Sequence, residues 1–116
     1  AARVALGPEL PALFANDEKL AARLLAASGE VADPMWRLPL WRDYRRLFDS
    51  DVADINNSGR AGFAGALVGA LFLDRFVPED LPWAHLDVYA WNDASRPGRP
   101  LGGEAQGLRA VLAALS

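Results

Sequence analysis

From Ala61 to Leu73 the chain reads AGFAGALVGALFL, without one charged residue. No other stretch limits the possible folds so strongly. A membrane-spanning helix needs roughly 20 apolar residues, and this run is far shorter. A helix apolar on every side is a core helix, covered by other elements on more than one face. The run therefore predicts a buried helix over about 61–76, sandwiched between layers. Gly65 and Gly69 stand four apart, as where a helix meets another backbone closely.

The approach to this helix invites other readings. Gly59, Gly62 and Gly65 are spaced by three. A dinucleotide fingerprint needs G-x-G-x-x-G after a strand, and a phosphate loop needs a Lys after its last glycine. Neither condition is met. Asn56, Asn57, Ser58 and Gly59 are turn formers at a helix entrance, where free N–H groups attract anions. Asp49, Asp51 and Asp54 resemble the start of a calcium loop. The fifth position is Ala53, however, and the sixth is Asp54 where such a loop requires glycine.

Composition narrows the function classes. The 116 residues amount to one domain, 52% apolar, so a disordered chain is excluded. Net charge is −3 with both signs dispersed, and no basic stripe supports nucleic-acid binding. The absence of cysteine removes disulfide and Cys-zinc scaffolds and fits an intracellular protein. The chain opens on AARVALG without an initiator Met, which reads as a piece of a longer polypeptide.

Along the rest of the chain, Val4–Leu6 and Leu13–Ala15 read as short strands, the first ended by Gly7-Pro8. Asn16 is the expected cap of a helix that carries Leu20, Leu24 and Ala27 on one side and stops at Gly29. DPMWRLPLW is extended because Pro34 and Pro39 forbid a helix; Trp36 and Trp41 are expected to pin it down. A short helix follows from about Arg42 to Phe48, its arginines read as a solvated face in preference to an anion site. Asp51–Asn57 is a loop, with a brief strand at Val52-Ala53. WAHLDVYAW alternates with period two and is a strand with two unlike faces. Glu104–Leu115 is a last helix with Leu108, Val111, Leu112 and Leu115 at helical spacing. The sum is an α/β chain, with helices layered on a short central sheet. His85 and Asp87 share a strand face and could polarise each other for acid–base work. No G-x-S-x-G supplies a nucleophile, and one His with scattered acids is a poor zinc set, so a packed histidine is preferred.

The motifs in their order say more. DPMWRLPL (Asp33–Leu40), DVADINNSG (Asp51–Gly59), GRAGFAGALVGALFLDRFV (Gly59–Val77) and PWAHLDV (Pro82–Val88) together resemble the carboxy-terminal part of the leucyl (cytosol) aminopeptidase family of two-metal peptidases. ARVALG near the start and GRP before the last helix fit as well. The resemblance covers nearly the whole chain. It implies a three-layer helix/sheet/helix catalytic domain, of which residues 1–116 are an incomplete part. It implies a cytoplasmic hexamer that removes amino-terminal residues from peptides with two divalent ions, zinc or manganese, and no membrane or nucleic-acid partner. In the family the metal ligands are a lysine and carboxylates, including those of an NTDAEGR segment, and all precede the point where this chain begins. No catalytic or metal-binding residue carries over to this chain, and on its own it is expected to bind no metal and cleave nothing. Tyr89, Ala90 and Asn92 match positions at the family's substrate side-chain pocket. The family commonly reads HLDIAG there and this chain reads HLDVYAWND, which implies a different pocket shape. The turn into the glycine-rich helix then reads as packing and positioning. The alternative is a non-catalytic assembly module that self-associates through the apolar faces of the Gly62–Phe76 helix.

Overall fold

A computed structural model describes residues 2–49 and 64–116, with the backbone alone at Phe48 and Asp49. The expected loop at Asp51–Asn57, the brief strand at Val52-Ala53 and the first residues of the glycine-rich helix lie outside the described residues.

β1 (Ala12–Ala15) is the centre of the fold. All four of its residues are buried, and successive side chains serve opposite faces. Ala12 and Phe14 pack with Ala2, Ala66 and Ala70; Leu13 packs with Leu24, Met35 and Ala110. One strand thus carries apolar contacts for two separate layers of helix. β1 pairs in parallel with β2 (Trp36–Arg37) and antiparallel with β3 (Ala84–Asp87), giving the order β2-β1-β3. α1 (Ala2–Leu6) and α4 (Gly65–Asp74) cover one face. α2 (Glu18–Glu30) and α5 (Leu108–Leu115) cover the other. Between β2 and α4 lie a 3-10 turn (Arg42–Arg45) and α3 (Arg46–Asp49). A separate antiparallel pair, β4 (Trp91–Asn92) and β5 (Gly102–Gly103), follows β3. The helix/sheet/helix layering expected of the chain is what forms.

Several local expectations are corrected. Val4–Leu6 belongs to a single helical turn, not a strand. Gly7 N–H donates to the Arg3 carbonyl at 2.8 Å, and Gly7 takes the left-handed conformation that ends helices. A short apolar run does not distinguish strand from helix. The cap of α2 is Asp17, whose carboxylate accepts from Leu20 N–H at 2.8 Å. Asn16 is spent elsewhere: its amide donates to the Leu81 carbonyl and accepts from Trp83 N–H, clamping the entry to β3. α2 runs through Gly29 to Glu30. Trp36 and Trp41 do not pin the extended segment; both are exposed, and Met35 is the buried anchor.

α4 buries Ala66, Ala70, Leu71 and Asp74, but Phe72, Leu73 and Phe76 beyond its end are exposed, so it is covered on one side here. Among the described residues nothing lies within 4 Å of where a Gly69 Cβ would stand, so no close backbone meets it there. α5 likewise buries Ala110 and turns Leu108, Leu112 and Leu115 outward, against the face its leucines suggest. Arg45 is not merely solvated. It pairs at 2.6 Å with buried Asp74, which also accepts from the Trp83 indole at 2.9 Å, tying α4 to the 3-10 turn and to the residue that precedes β3.

Candidate functional site

The alternation through WAHLDVYAW forms a strand only as far as Asp87. Ala84 and Leu86 join the α2/α5 layer, while the His85 ring stacks on Phe14 in the opposite layer, with centroids 6.0 Å apart. Burial lowers the His85 pKa below its ordinary value, and the charge of Asp87 opposes that shift. A packed histidine is what the strand contains.

After Asp87 the chain leaves the sheet. Ala90 adopts φ 57°, a left-handed conformation that costs an L-residue energy unless neighbours hold it. Here Gln106 accepts from Ala90 N–H at 2.8 Å, and the Ala90 carbonyl accepts from Glu104 N–H at 3.0 Å. The Gln106 amide also donates to the Pro8 carbonyl, so one side chain joins this turn to the α1–β1 connection. Tyr89 lies beneath the Arg3 guanidinium, 4.7 Å from its ring centroid, and its hydroxyl donates to Asp93 at 3.2 Å. Asn92 is buried and donates to the carbonyls of Arg99 and Pro100, closing the loop that leads to β5. The three pocket-matching positions are therefore one braced turn. Tyr89 is half-buried at its surface, Ala90 shapes the backbone, and the Asn92 amide is engaged within the loop.

Beside this turn is a cleft of about 130 Å³ lined by Glu9, Trp91, Asn92, Asp93, Arg96 and Glu104, among others. Arg96 bridges Glu9 at 3.1 Å and Glu104 at 3.2 Å, and Glu104 also pairs with Arg99. At the other end of β1 are two larger clefts, of about 510 and 440 Å³, that share Asn16 and Arg42. The register Ala12↔Asp87 and Ala15↔Ala84 sets these clefts and the Tyr89–Asn92 turn at opposite ends of the sheet. Among the described residues, no three of His, Cys, Asp and Glu come together in a way that could hold a metal ion. No helix among them is long and apolar enough to cross a membrane. The candidate acids Asp51 and Asp54 and the anion-attracting turn Asn56–Gly59 lie outside the described residues.

Sequence reading missed Arg3, Gln106, Asp33 and Asp74. No local pattern marks them, because their partners are far away along the chain. The carboxylate of Asp33, for one, accepts from Gly107 and Ala110 N–H, 74 and 77 residues on.

Comparison with known proteins places this architecture. Residues 1–112 match the model of the cytosol aminopeptidase family, catalytic domain. A probable cytosol aminopeptidase of Roseiflexus castenholzii is 46% identical over 116 residues, covering 97% of this chain and 23% of its own length. The crystal structure of a cytosol aminopeptidase from Coxiella burnetii is 52% identical and superposes with a TM-score of 0.86 over 99% of this chain and 25% of its own. The bottromycin maturation enzyme BotP, in a structure with Mn, is 35% identical with a TM-score of 0.86, over 99% of this chain and 26% of its own. The chain thus spans about a quarter of the length of these relatives. With the family's sequence signature and its fold both running through almost every residue, the chain belongs to the cytosol aminopeptidase family, as a stretch of its catalytic domain.

Proposed function

We propose that this chain is the carboxy-terminal portion of a metal-dependent leucyl aminopeptidase that hydrolyses amino-terminal residues from peptides. The observation that carries the reading is the match of fold and sequence to the Coxiella burnetii cytosol aminopeptidase, 52% identical over 99% of this chain. In this reading the whole protein uses two divalent ions, manganese or zinc, which polarise the peptide carbonyl and activate water. The Mn in the structure of BotP supports that part of it. In this reading the metal ligands lie in the rest of the protein, as the resemblance implies. This chain supplies the wall behind the chemistry. β3 leads into the braced turn, which sets Tyr89, Ala90 and Asn92 beside the substrate's side chain. The protein works in the cytosol as a hexamer, as the resemblance implies.

The test is hydrolysis of leucine 4-nitroanilide. The full-length protein is expected to turn over with Mn²⁺ or Zn²⁺ and to lose activity when EDTA removes the metal. The isolated chain is expected to show none. Turnover by the isolated chain, or an inert full-length protein under both metals, overturns the proposal. The exposed leucines of α5 favour a second reading, an assembly role without catalysis, to which an inert full-length protein would point.

A further inference from the structure

The cleft beside the Tyr89–Asn92 turn has a chemistry that the peptidase reading does not absorb. Its lining residues include three carboxylates, Glu9, Asp93 and Glu104, against one guanidinium, Arg96. Arg96 is committed to Glu9 and Glu104, and Arg99 adds a second cation at Glu104. Among the described residues no cation pairs with Asp93, which accepts a hydrogen bond from the neutral Tyr89 hydroxyl. The same cleft is lined by Trp91, 48% exposed, with no ring or cation stacked on it among the described residues. An indole face and an unneutralised carboxylate in one small recess attract the same kind of group, a cation with N–H donors. The walls are held before any ligand arrives. Gln106 fixes Ala90 and Pro8, Asn92 fixes the 99–100 backbone, and Trp91 sits in the β4–β5 ladder. A recess of about 130 Å³ suits a guanidinium or ammonium head better than a large apolar side chain.

We propose that the Trp91–Asp93 cleft is a subsite for the cationic side chain of an arginine or lysine residue of a peptide. Only the assignment of that side chain to a peptide substrate rests on the aminopeptidase reading.

Binding is measured by calorimetry on the full-length protein, with agmatine and the uncharged, nearly isosteric N-carbamoylputrescine as probes, neither of which has a bond an aminopeptidase can cleave. Agmatine is expected to bind about tenfold more tightly. Asp93→Asn and Trp91→Leu are each expected to remove most of that advantage. Both residues are exposed, and if one variant fails to fold the other still decides. Equal affinity for the two probes, or an advantage untouched by either substitution, overturns the proposal. Hydrolysis of the arginine and citrulline 4-nitroanilides separates it from the peptidase reading. Turnover without discrimination removes the cationic subsite and leaves the peptidase. Discrimination in binding with no turnover of any anilide removes the peptidase and leaves the subsite.

Discussion

His85 shows how one residue couples burial to pH. Its ring lies against Phe14 in the layer between sheet and α4, and burial disfavours the charged imidazolium more than Asp87 restores it. The folded-state pKa is therefore below the ordinary value of 6.5. As pH falls through 6.5, the unfolded chain takes up the proton first, and folding is weakened. The contribution is nil above that value, grows more destabilising as pH falls below it, and levels off at its full cost once the folded pKa is passed. Urea midpoints of this chain are expected to fall between pH 7.5 and pH 5.5. His85→Phe should flatten that slope; an equal slope in both proteins would exclude His85 as its source. Glu18 behaves oppositely. Its hydrogen bond and charge contact with Arg37 hold its carboxyl below the ordinary range, but the pair is at the surface and contributes little.

At the scale of elements, helix ends and strand faces differ in how far local sequence governs them. Asp17 caps α2 from the adjoining residue, so the signal is local and only its register, one residue from Asn16, was misplaced. α5 has a distant cap. Gly107 takes φ 83°, and the N–H groups of Gly107 and Ala110 donate to the two oxygens of buried Asp33 at 3.1 and 3.0 Å. Those groups would otherwise be buried without partners, and a carboxylate also suits the positive end of the helix. Asp33→Ala is expected to lower the unfolding free energy by about 2 kcal/mol in urea titrations, with the loss concentrated in α5 by hydrogen exchange. A change within a few tenths of a kcal/mol would mean that the cap is dispensable. β3 was legible because alternation is intrinsic to a strand, whereas β1 showed only as a short apolar run, a signal that misled at Val4–Leu6. The outward leucines of α5 were not legible, since helical spacing names a stripe but not which stripe meets the sheet.

For the whole molecule, the two apolar layers around β1 coexist with broad uncovered apolar surface. Phe76 is 72% exposed, Leu112 66% and Leu115 76%, in a chain that spans about a quarter of its relatives' length. Such surface favours association. Sedimentation velocity on the isolated chain should show an average mass that climbs above 12.5 kDa with concentration; a monomer at every concentration would argue against it. Sequence alone determined the α/β class, most helix positions and the family, because each rests on local periodicity, turn chemistry or motif order. Tertiary structure alone decided which polar groups meet: Asp33 with α5, Asp74 with Arg45 and Trp83, Arg3 over Tyr89, Gln106 across the turn. Packing of the layers brings those partners together, and local propensity reaches only a few residues along the chain.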